Sequence, residues 1–339
     1  MWFHQVMLNP GGRSRKRLRA PQKREVTEMT NPGLCETRLA TALRDHPLRI
    51  FTLTGARAGP VLALIGAVHG DELEGPLTLS ALMQSLDPAE MAGTLILCPA
   101  ANPEALAAST RCSPSDGRNL ARCFPGDPEG SPTEVLAALL ARHVIRPADA
   151  LIDLHSGGGP VHCPLFAGYG DAAATGSAAR AMARAFGAPV VWRHPAPLPP
   201  GRTMSEAQDA GIPSIYIEAG GGIVPPPEIV SRYEDGVRGV MAHLGMLDQR
   251  PDPGPAPLQV AGSGDLDHAI MAPVSGLCHC RVDLLAPLRK GDICFDITDL
   301  DGRVLASVPA EADGIAMFLR RSRWVSQGDL LMASAHPDD

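Results

Sequence analysis

The most constraining feature of this sequence is an alternation of apolar strand-like segments with helix-like segments between residues 49 and 246. "GPVLALIGAV" (59–68) and "GTLILCPAAN" (93–102) are short and apolar, which is typical of buried strands. "SPTEVLAALLARHVI" (131–145) begins with a capping serine and continues with helical apolar spacing, which predicts a helix. The alternation predicts an α/β fold with a mostly parallel mixed sheet flanked by helices. The other predicted strands are 49–55, 148–155, 189–193 and 213–220, and the other predicted helices are 74–86, 176–187, 204–211 and 225–246.

The alternation ends at "DQRPDPGPAP" (248–257), where four prolines in ten residues are typical of a linker. Residues 268–335 consist of short apolar segments with frequent Gly turns and a weak two-fold repeat, which predicts a C-terminal all-β barrel-sandwich domain. Carrier domains of that shape present a lysine on a tight hairpin, whereas Lys290 lies at a Gly-Asp turn, so we do not predict a carrier. The predicted segments are a disordered basic tail at 1–36, an α/β domain at 37–250, which carries the segments discussed below, a linker at 251–257 and the β-domain at 258–339.

The N-terminal segment has no apolar core of a secretory signal, and the chain has no run of 18 apolar residues, so neither a signal peptide nor a transmembrane helix is predicted. A start of translation at Met29 would remove most of the tail, and a basic arm for an anionic surface is a weaker interpretation. The net charge of −7 disfavours a nucleic-acid binder. We therefore expect a cytoplasmic protein with a small-molecule partner, without nucleic-acid or membrane partners. A homo-oligomer is compatible with the sequence.

The chain has eight cysteines and no CxxC pair, which favours a reducing compartment over a disulfide scaffold. Cys278 and Cys280 flank His279 and would share one face of a strand. A soft-metal site there is one interpretation. Ordinary alternation within a β-domain is the preferred one.

Two segments place histidine or glutamate at the end of an apolar strand. In "IGAVHGDELEG" (65–75), His69 and Glu72 follow a strand and precede a helix, and in "LIDLHSGGG" (151–159), His155 ends another strand. The carboxyl ends of strands are where open α/β sheets hold their sites. Taken singly, the first segment is better explained as a solvated turn and the second as a structural histidine. Together, two histidines and a glutamate form a ligand set of catalytic zinc, and Asp153 would orient His155 or simply pair with it.

A third segment, "TRCSPSDGRNLARCFPG" (110–126), is polar and rich in turn residues. It is either an ordinary surface loop or a source of guanidinium groups for a carboxylate or a developing oxyanion. The fourth segment, "PSIYIEAGGG", ends an apolar strand with Glu218. A carboxylate there is costly to bury unless it is paired, and beside a zinc-activated water it would be a general base.

These four segments, in this order, resemble the succinylglutamate desuccinylase/aspartoacylase family, a branch of the zinc carboxypeptidase-like enzymes, over roughly residues 45–245. The resemblance implies a zinc carboxypeptidase-like fold and one zinc ion per chain. The roles that it implies are zinc binding by His69, Glu72 and His155, general base and acid for Glu218, polarisation of the scissile carbonyl for Arg111 and binding of a substrate carboxylate for Arg122.

One position departs from the family pattern. The family usually has Asn-Arg where this chain has Ala121-Arg122. That asparagine helps to bind the substrate carboxylate, so its loss puts the amino-acid end of the substrate in question, and Asn119 or Arg118 would have to compensate.

The function predicted from these observations is a zinc-dependent amidohydrolase that removes a small acyl group from an N-acylated amino acid or related amine. A zinc carboxypeptidase acting on peptides is the first alternative. A non-catalytic zinc-binding protein is an alternative of another class. A serine hydrolase is disfavoured because the sequence contains no GxSxG segment.

Overall fold

The structure is a computed structural model that describes residues 26–338 except 32, 42–44, 222–223, 250–251 and 253. Of the tail predicted at 1–36, residues 1–25 lie outside the described residues. The strand Val26–Asn31 pairs with the strand Leu34–Leu39. Residues 251 and 253 of the predicted linker also lie outside the described residues.

The part of the described chain up to residue 243 contains strands β1 (Val26–Asn31), β2 (Leu34–Leu39), β3 (Leu48–Thr54), β4 (Arg57–Gly66), β5 (Ala92–Cys98), β6 (Ala150–Leu154), β7 (Val161–Gly170), β8 (Val190–His194) and β9 (Ser214–Gly220). Its α-helices are α1 (Glu74–Ser85), α2 (Pro103–Ala108), α3 (Pro132–Leu140), α4 (Gly176–Phe186), α5 (Thr203–Asp209) and α6 (Pro227–His243). Strands β10 (Leu258–Ala261), β11 (Ile270–Met271), β12 (Gly276–Cys280), β13 (Pro287–Leu288), β14 (Ile293–Thr298), β15 (Val304–Pro309), β16 (Gly314–Arg320), β17 (Trp324–Val325) and β18 (Leu330–Pro337) follow. Short 3-10 turns lie at Pro88–Glu90, Leu120–Arg122 and Leu266–His268, and a π-helical turn, Ala141–Ile145, continues α3.

One large sheet runs through the molecule in the order β1-β2-β3-β5-β4-β6-β9-β7-β8-β10-β18-β16-β13. Its centre, β5-β4-β6-β9, is parallel, whereas β3 and β7 join that centre antiparallel. The predicted mixed α/β fold is therefore confirmed. Because β4, β6 and β9 are parallel, their carboxyl ends lie at the same edge of the sheet, and the residues that follow them are brought together.

The sheet is covered by helices on both faces, which explains why its central strands are apolar without alternation. In β4, Leu62 and Leu64 face a core formed with α1, α4 and α6, while Ala63 and Ile65 face a second core formed with α3 and the π-helical turn. All four side chains are fully buried. Burial of each leucine contributes about 1.5–3 kcal/mol.

The capped helix predicted in 131–145 is confirmed at its N-terminus, where Ser131 and Glu134 form a capping box. Within the described residues, no helix is long and apolar enough to cross a membrane.

The C-terminal strands extend the large sheet. Strand β10 pairs parallel with β8, β18 pairs with β10, and β16 pairs with β7. Strands β15, β14, β12 and β17 form a separate four-stranded sheet. After residue 258 the described chain contains strands and one 3-10 turn, and the barrel-sandwich arrangement and the domain boundaries stay predictions.

Candidate active site

The predicted site residues meet at a cavity of about 120 Å³ at the carboxyl edge of the parallel strands. Three of them line its inner end: His69, His155 and Glu218. Arg111 and Arg122 line its sides, and the segment Ser263–Leu266 closes the outer end. The cavity is therefore built from strand ends on one side and from loops and the C-terminal region on the other.

His69, Glu72 and His155 form a group whose potential ligand atoms all lie within 4.8 Å of one another. The Nδ1 atom of His69 lies 2.7 Å from Oε1 of Glu72, and Nδ1 of His155 lies 2.9 Å from Oε2 of the same carboxylate. Both rings thus direct the same nitrogen at one carboxylate. No other group of three such side chains occurs in the described part of the chain, so Cys278 and Cys280 have no third ligand grouped with them there.

A sharp turn after β4 brings His69 and Glu72 to this point. Ala67 has a φ of +50°, and a Cβ atom on Gly70 would lie 2.0 Å from the backbone of Ala105, so only glycine fits there. The backbone N–H of Gly70 donates to the carbonyl of Thr110 at 2.9 Å. These contacts fix the loop that carries both side chains against the neighbouring loop.

The opposite nitrogen of each ring is held by a polar side chain. Nε2 of His155 lies 2.9 Å from Oδ2 of Asp153, which also accepts a hydrogen bond from the hydroxyl of Thr203. Nε2 of His69 lies 3.1 Å from Oδ1 of Asn119. Partners of this kind fix the ring orientation and leave Nδ1 with its lone pair for a ligand.

Burial and charge shift the pKa values in this group in opposite directions. Burial raises the pKa of the Glu72 carboxyl, but His69 and His155 outweigh burial and hold that pKa well below its usual range. Burial lowers the pKa of His155, but the Asp153 and Glu72 carboxylates outweigh it and raise that pKa well above its usual value. The pKa of His69 is lowered, mainly by burial. The group therefore combines one ionised carboxylate with two imidazoles.

These residues fit a divalent cation. Glu72 is 2 % exposed and His69 is 3 % exposed, so water has little access to the carboxylate of Glu72 or the imidazole of His69. Two imidazole nitrogens and one carboxylate oxygen are a donor set of catalytic zinc sites, which keep one further position open. The cavity adjoining His69 and His155 provides room for that position.

Glu218 lies on β9, between β6 and β7, with its side chain on the cavity. It is 9 % exposed, and its Oε2 atom has no hydrogen-bond partner among the described residues. Burial and the nearby Glu72 carboxylate raise the pKa of the Glu218 carboxyl well above its usual value. Such a group is suited to taking up and releasing a proton.

The predicted arginines occupy three different environments. Arg111 donates from Nη1 to Oε1 of Glu72 at 3.1 Å and stays partly exposed at the cavity. Arg122 donates to both carboxylate oxygens of Asp267 at 2.8 Å. Arg118 lies away from the cavity lining and pairs with Glu134 at 3.0 Å. Among these arginines, the structure thus brings Arg111 and Arg122, but not Arg118, to the cavity.

The two residues proposed to compensate for Ala121 are both engaged elsewhere. Asn119 directs its side-chain oxygen at His69 and also accepts a hydrogen bond from the backbone N–H of Ala121 at 2.9 Å. Arg118 is paired with Glu134. The cavity lining contains neither of them.

The sequence analysis missed several residues on the outer end of the cavity. Arg202, Thr203 and Asp265 line the cavity, as do His194 and Tyr216. Arg202 follows a proline-rich turn and precedes a short helix, which is a weak signal for a loop at the sheet edge. Asp265 lies beyond the predicted linker, and no sequence pattern connects it with the other residues.

Comparison with known proteins gives a consistent result. Residues 58–244 match the model of the succinylglutamate desuccinylase/aspartoacylase catalytic domain. The N-alpha-acetyl-L-2,4-diaminobutyric acid deacetylase of Halomonas elongata is 32% identical over 284 residues, which is 82% of each chain. The product-bound ectoine utilization protein EutE (DoeB) of Ruegeria pomeroyi is 28% identical, with a TM-score of 0.83 over 93% of this chain and 98% of that one. A succinylglutamate desuccinylase of Silicibacter sp. TM1040 is 25% identical, with a TM-score of 0.84 over 95% of this chain and 100% of that one.

Proposed function

The chain belongs to the succinylglutamate desuccinylase/aspartoacylase family, and from that premise we propose that it is a zinc-dependent amidohydrolase that removes a small acyl group from an N-acylated amino acid or related amine. The strongest support is the convergence on one cavity of the group His69, Glu72 and His155 with the buried, unpartnered Oε2 of Glu218. The name of the Halomonas elongata relative makes N-acetyl-2,4-diaminobutyrate the first substrate to assay.

In this proposal, His69, Glu72 and His155 hold one zinc ion per chain. Zinc in such a site lowers the pKa of water at its open position and acts as a Lewis acid toward a carbonyl. Asp153 and Asn119 keep both imidazole rings in the orientation that ligation requires.

Glu218 moves the proton. Its Oε2 accepts a proton from the attacking water and then delivers that proton to the nitrogen of the leaving amine, which balances the hydrolysis of the amide bond. Burial and the Glu72 carboxylate raise the pKa of its carboxyl, which makes Glu218 a stronger proton acceptor in the first step.

Arg111 stabilises the negative charge that develops on the acyl oxygen. It is the guanidinium that reaches both the inner carboxylate Glu72 and the cavity. Donors positioned before the reaction contribute to catalysis because they need no reorganisation when the charge appears.

The test is the purified full chain and its Glu218→Gln variant, assayed on N-acetyl-, N-formyl- and N-succinyl-amino acids and on peptides, with zinc measured in each sample. We expect turnover of acyl-amino acids by the parent chain, and for Glu218→Gln a loss of at least about a hundredfold in kcat with unchanged zinc. Preference for peptides would favour the carboxypeptidase alternative. Zinc without turnover on any of these substrates would favour a non-catalytic protein. Cytoplasmic localisation stays a prediction.

A further inference from the structure

Strand β15 forms an edge of the C-terminal four-stranded sheet. The sheet has the order β15-β14-β12-β17, so within the described residues β15 pairs on one side only, with β14. Val304 and Leu305 of this strand are exposed, as is Leu300 in the turn before it. An exposed edge with apolar side chains offers unpaired backbone groups to which a further strand can add. This edge is therefore a candidate interaction surface.

The exposed side chains along this edge have a regular order. Leu305, Ser307 and Pro309 are exposed, whereas the residues between them are half-buried or buried. Successive side chains of a strand point to opposite faces, so these three share the outer face. Arg303 before them and Glu311 after them are exposed as well. The outer face thus has a cation at one end, an anion at the other and a serine in the middle.

The two charges at the ends of this edge are unpaired within the described part of the chain. The side chains of Arg303 and Glu311 form no hydrogen bond or ion pair with the residues described there. The neighbouring Asp296, in contrast, accepts hydrogen bonds from Arg281 at 2.8 Å and from the Ser307 hydroxyl at 2.6 Å. Arg303 and Glu311 are therefore available for ion pairs with a second molecule.

This order of side chains is complementary to itself. When two copies of β15 run antiparallel about a two-fold axis at Ser307, each Arg303 lies opposite Glu311 of the second copy, and each Leu305 lies opposite Pro309. The axis repeats every contact, so the edge gains two ion pairs and two apolar pairs. Opposite charges and apolar side chains that face each other across antiparallel strands stabilise the sheet. The edge therefore fits a second copy of the same chain.

Two features of β15 limit the strength of this pairing. Its register with β14 shifts between Val304 and Ala306, so Leu305 is an extra residue in that ladder. Pro309 has no N–H to donate to a further strand. The paired segment is short for both reasons, and we expect a reversible dimer with a Kd of about 10 µM rather than a permanent assembly.

We propose that the chain forms a two-fold dimer in which β15 pairs antiparallel with β15 of a second copy. The two four-stranded sheets then become one continuous sheet across the axis. A second copy is the occupant because the charges of this edge match their own reverse order. The inference is independent of the proposed function, since the described lining of the cavity contains no residue of β15.

The first experiment is sedimentation velocity of the full chain under reducing conditions, at concentrations up to about 100 µM. We expect the parent to dimerise over this range. Arg303→Glu places like charges opposite each other at both ends of the paired strands and should raise Kd at least about tenfold, and Glu311→Arg should do the same. The double variant, which exchanges the two charges, should restore the dimer. Arg232→Glu, at an exposed position of α6, is the matched control and should leave Kd unchanged.

The second experiment tests the position of the axis. Residues directly opposite in antiparallel strands have Cα atoms about 4.5–5.5 Å apart, which a disulfide can span. Ser307→Cys should therefore form a dimer on mild oxidation, with a disulfide between the two copies of residue 307 identified by peptide mass spectrometry. Ser177→Cys, at an exposed position of α4, is the matched control and should not be cross-linked to its own counterpart.

Thermal melting verifies the folding of each variant. A parent that stays monomeric at about 100 µM would overturn the inference, because the edge would then be unpaired or would take a strand from another protein. A dimer that resists both charge reversals, or that yields no disulfide at residue 307, would place the contact elsewhere and would overturn it as well.

Discussion

The inner and outer walls of the cavity are built on different principles. The inner wall consists of His69, His155 and Glu218, with Glu72 in contact with the two histidines, and these residues follow or end parallel strands of one sheet. His69, Glu72 and Glu218 are buried, and the side chain of His155 is 12 % exposed. The outer wall includes Arg122 and Arg202, from loops of the α/β region, and Asp265, from the turn after β10. In the proposed function, the inner wall provides the metal ligands and the proton carrier, whereas the outer wall provides charged groups for contact with the substrate.

We expect the largest loss of activity from a change at Arg111, which contacts Glu72 and also lines the cavity. Arg111→Ala removes the guanidinium beside Glu72, and kcat should fall about a hundredfold or more while KM changes little, because the lost interaction forms mainly in the transition state. Steady-state kinetics on N-acetyl-2,4-diaminobutyrate measure both constants, and unchanged zinc content is the control. A change confined to KM would assign Arg111 to the outer wall.

Asp153→Asn tests the orientation of the inner wall. The amide can present an N–H to Nε2 of His155, which would move the ring proton to Nδ1, the nitrogen that faces Glu72. Zinc affinity should fall about tenfold to a hundredfold, as measured by competition with a chelator. Asp171→Asn, at a half-exposed ion pair with Arg193, is the matched control. Equal affinity in parent and variant would mean that Asp153 does not orient the ring.

The attachment of the outer wall to the sheet depends on a neutral histidine. His194 is 3 % exposed, its Nδ1–H donates to the carbonyl of Gly262 at 2.9 Å, and its Nε2 accepts from the Tyr216 hydroxyl at 2.9 Å. Burial lowers the pKa of His194 from 6.5 to about 4. As the pH falls, His194 is therefore protonated in the unfolded chain before it is protonated in the folded protein. The contribution of the neutral His194 to folding stability is complete above pH 6.5 and is lost as the pH falls from 6.5 towards 4.

When the pH is lowered from 7 to 5.5, protonation of His194 in the unfolded chain should reduce the free energy of unfolding by about 1 kcal/mol. Urea unfolding at the two pH values measures the loss, and a His194→Gln variant should show a loss smaller by about that amount. An identical loss in parent and variant would show that His194 is not buried as a neutral group.

The inner wall could be predicted from the sequence because its residues follow or end short apolar segments that are typical of buried strands. His155 comes directly after a strand of five buried residues, and His69 comes three residues after a strand that ends in five buried residues. Parallel strands bring such ends together. Asp153 was expected beside His155 and lies there, whereas Asn119, predicted to bind substrate, instead faces His69.

The outer wall could not be predicted, because its contacts join residues far apart in the chain. Arg122 and Asp267 are 145 positions apart, and nothing in either local pattern relates them. The pairing of β10 with β8 brings the turn of Asp265 to the cavity, and that pairing crosses the segment predicted to be a linker. Strand β7 was missed as well, because Pro164 interrupts its pattern where the register with β9 shifts.

The central claim is that the inner wall is a metal centre. Its most direct test is the metal content of the purified full chain and of its His69→Ala and His155→Ala variants, by mass spectrometry of the metal, with Asp248→Asn as the folded control. We expect about one zinc ion per chain in the parent and in the control, and a small fraction of that in both histidine variants, because each loses one of the three ligands. Full metal occupancy in both histidine variants would contradict the account.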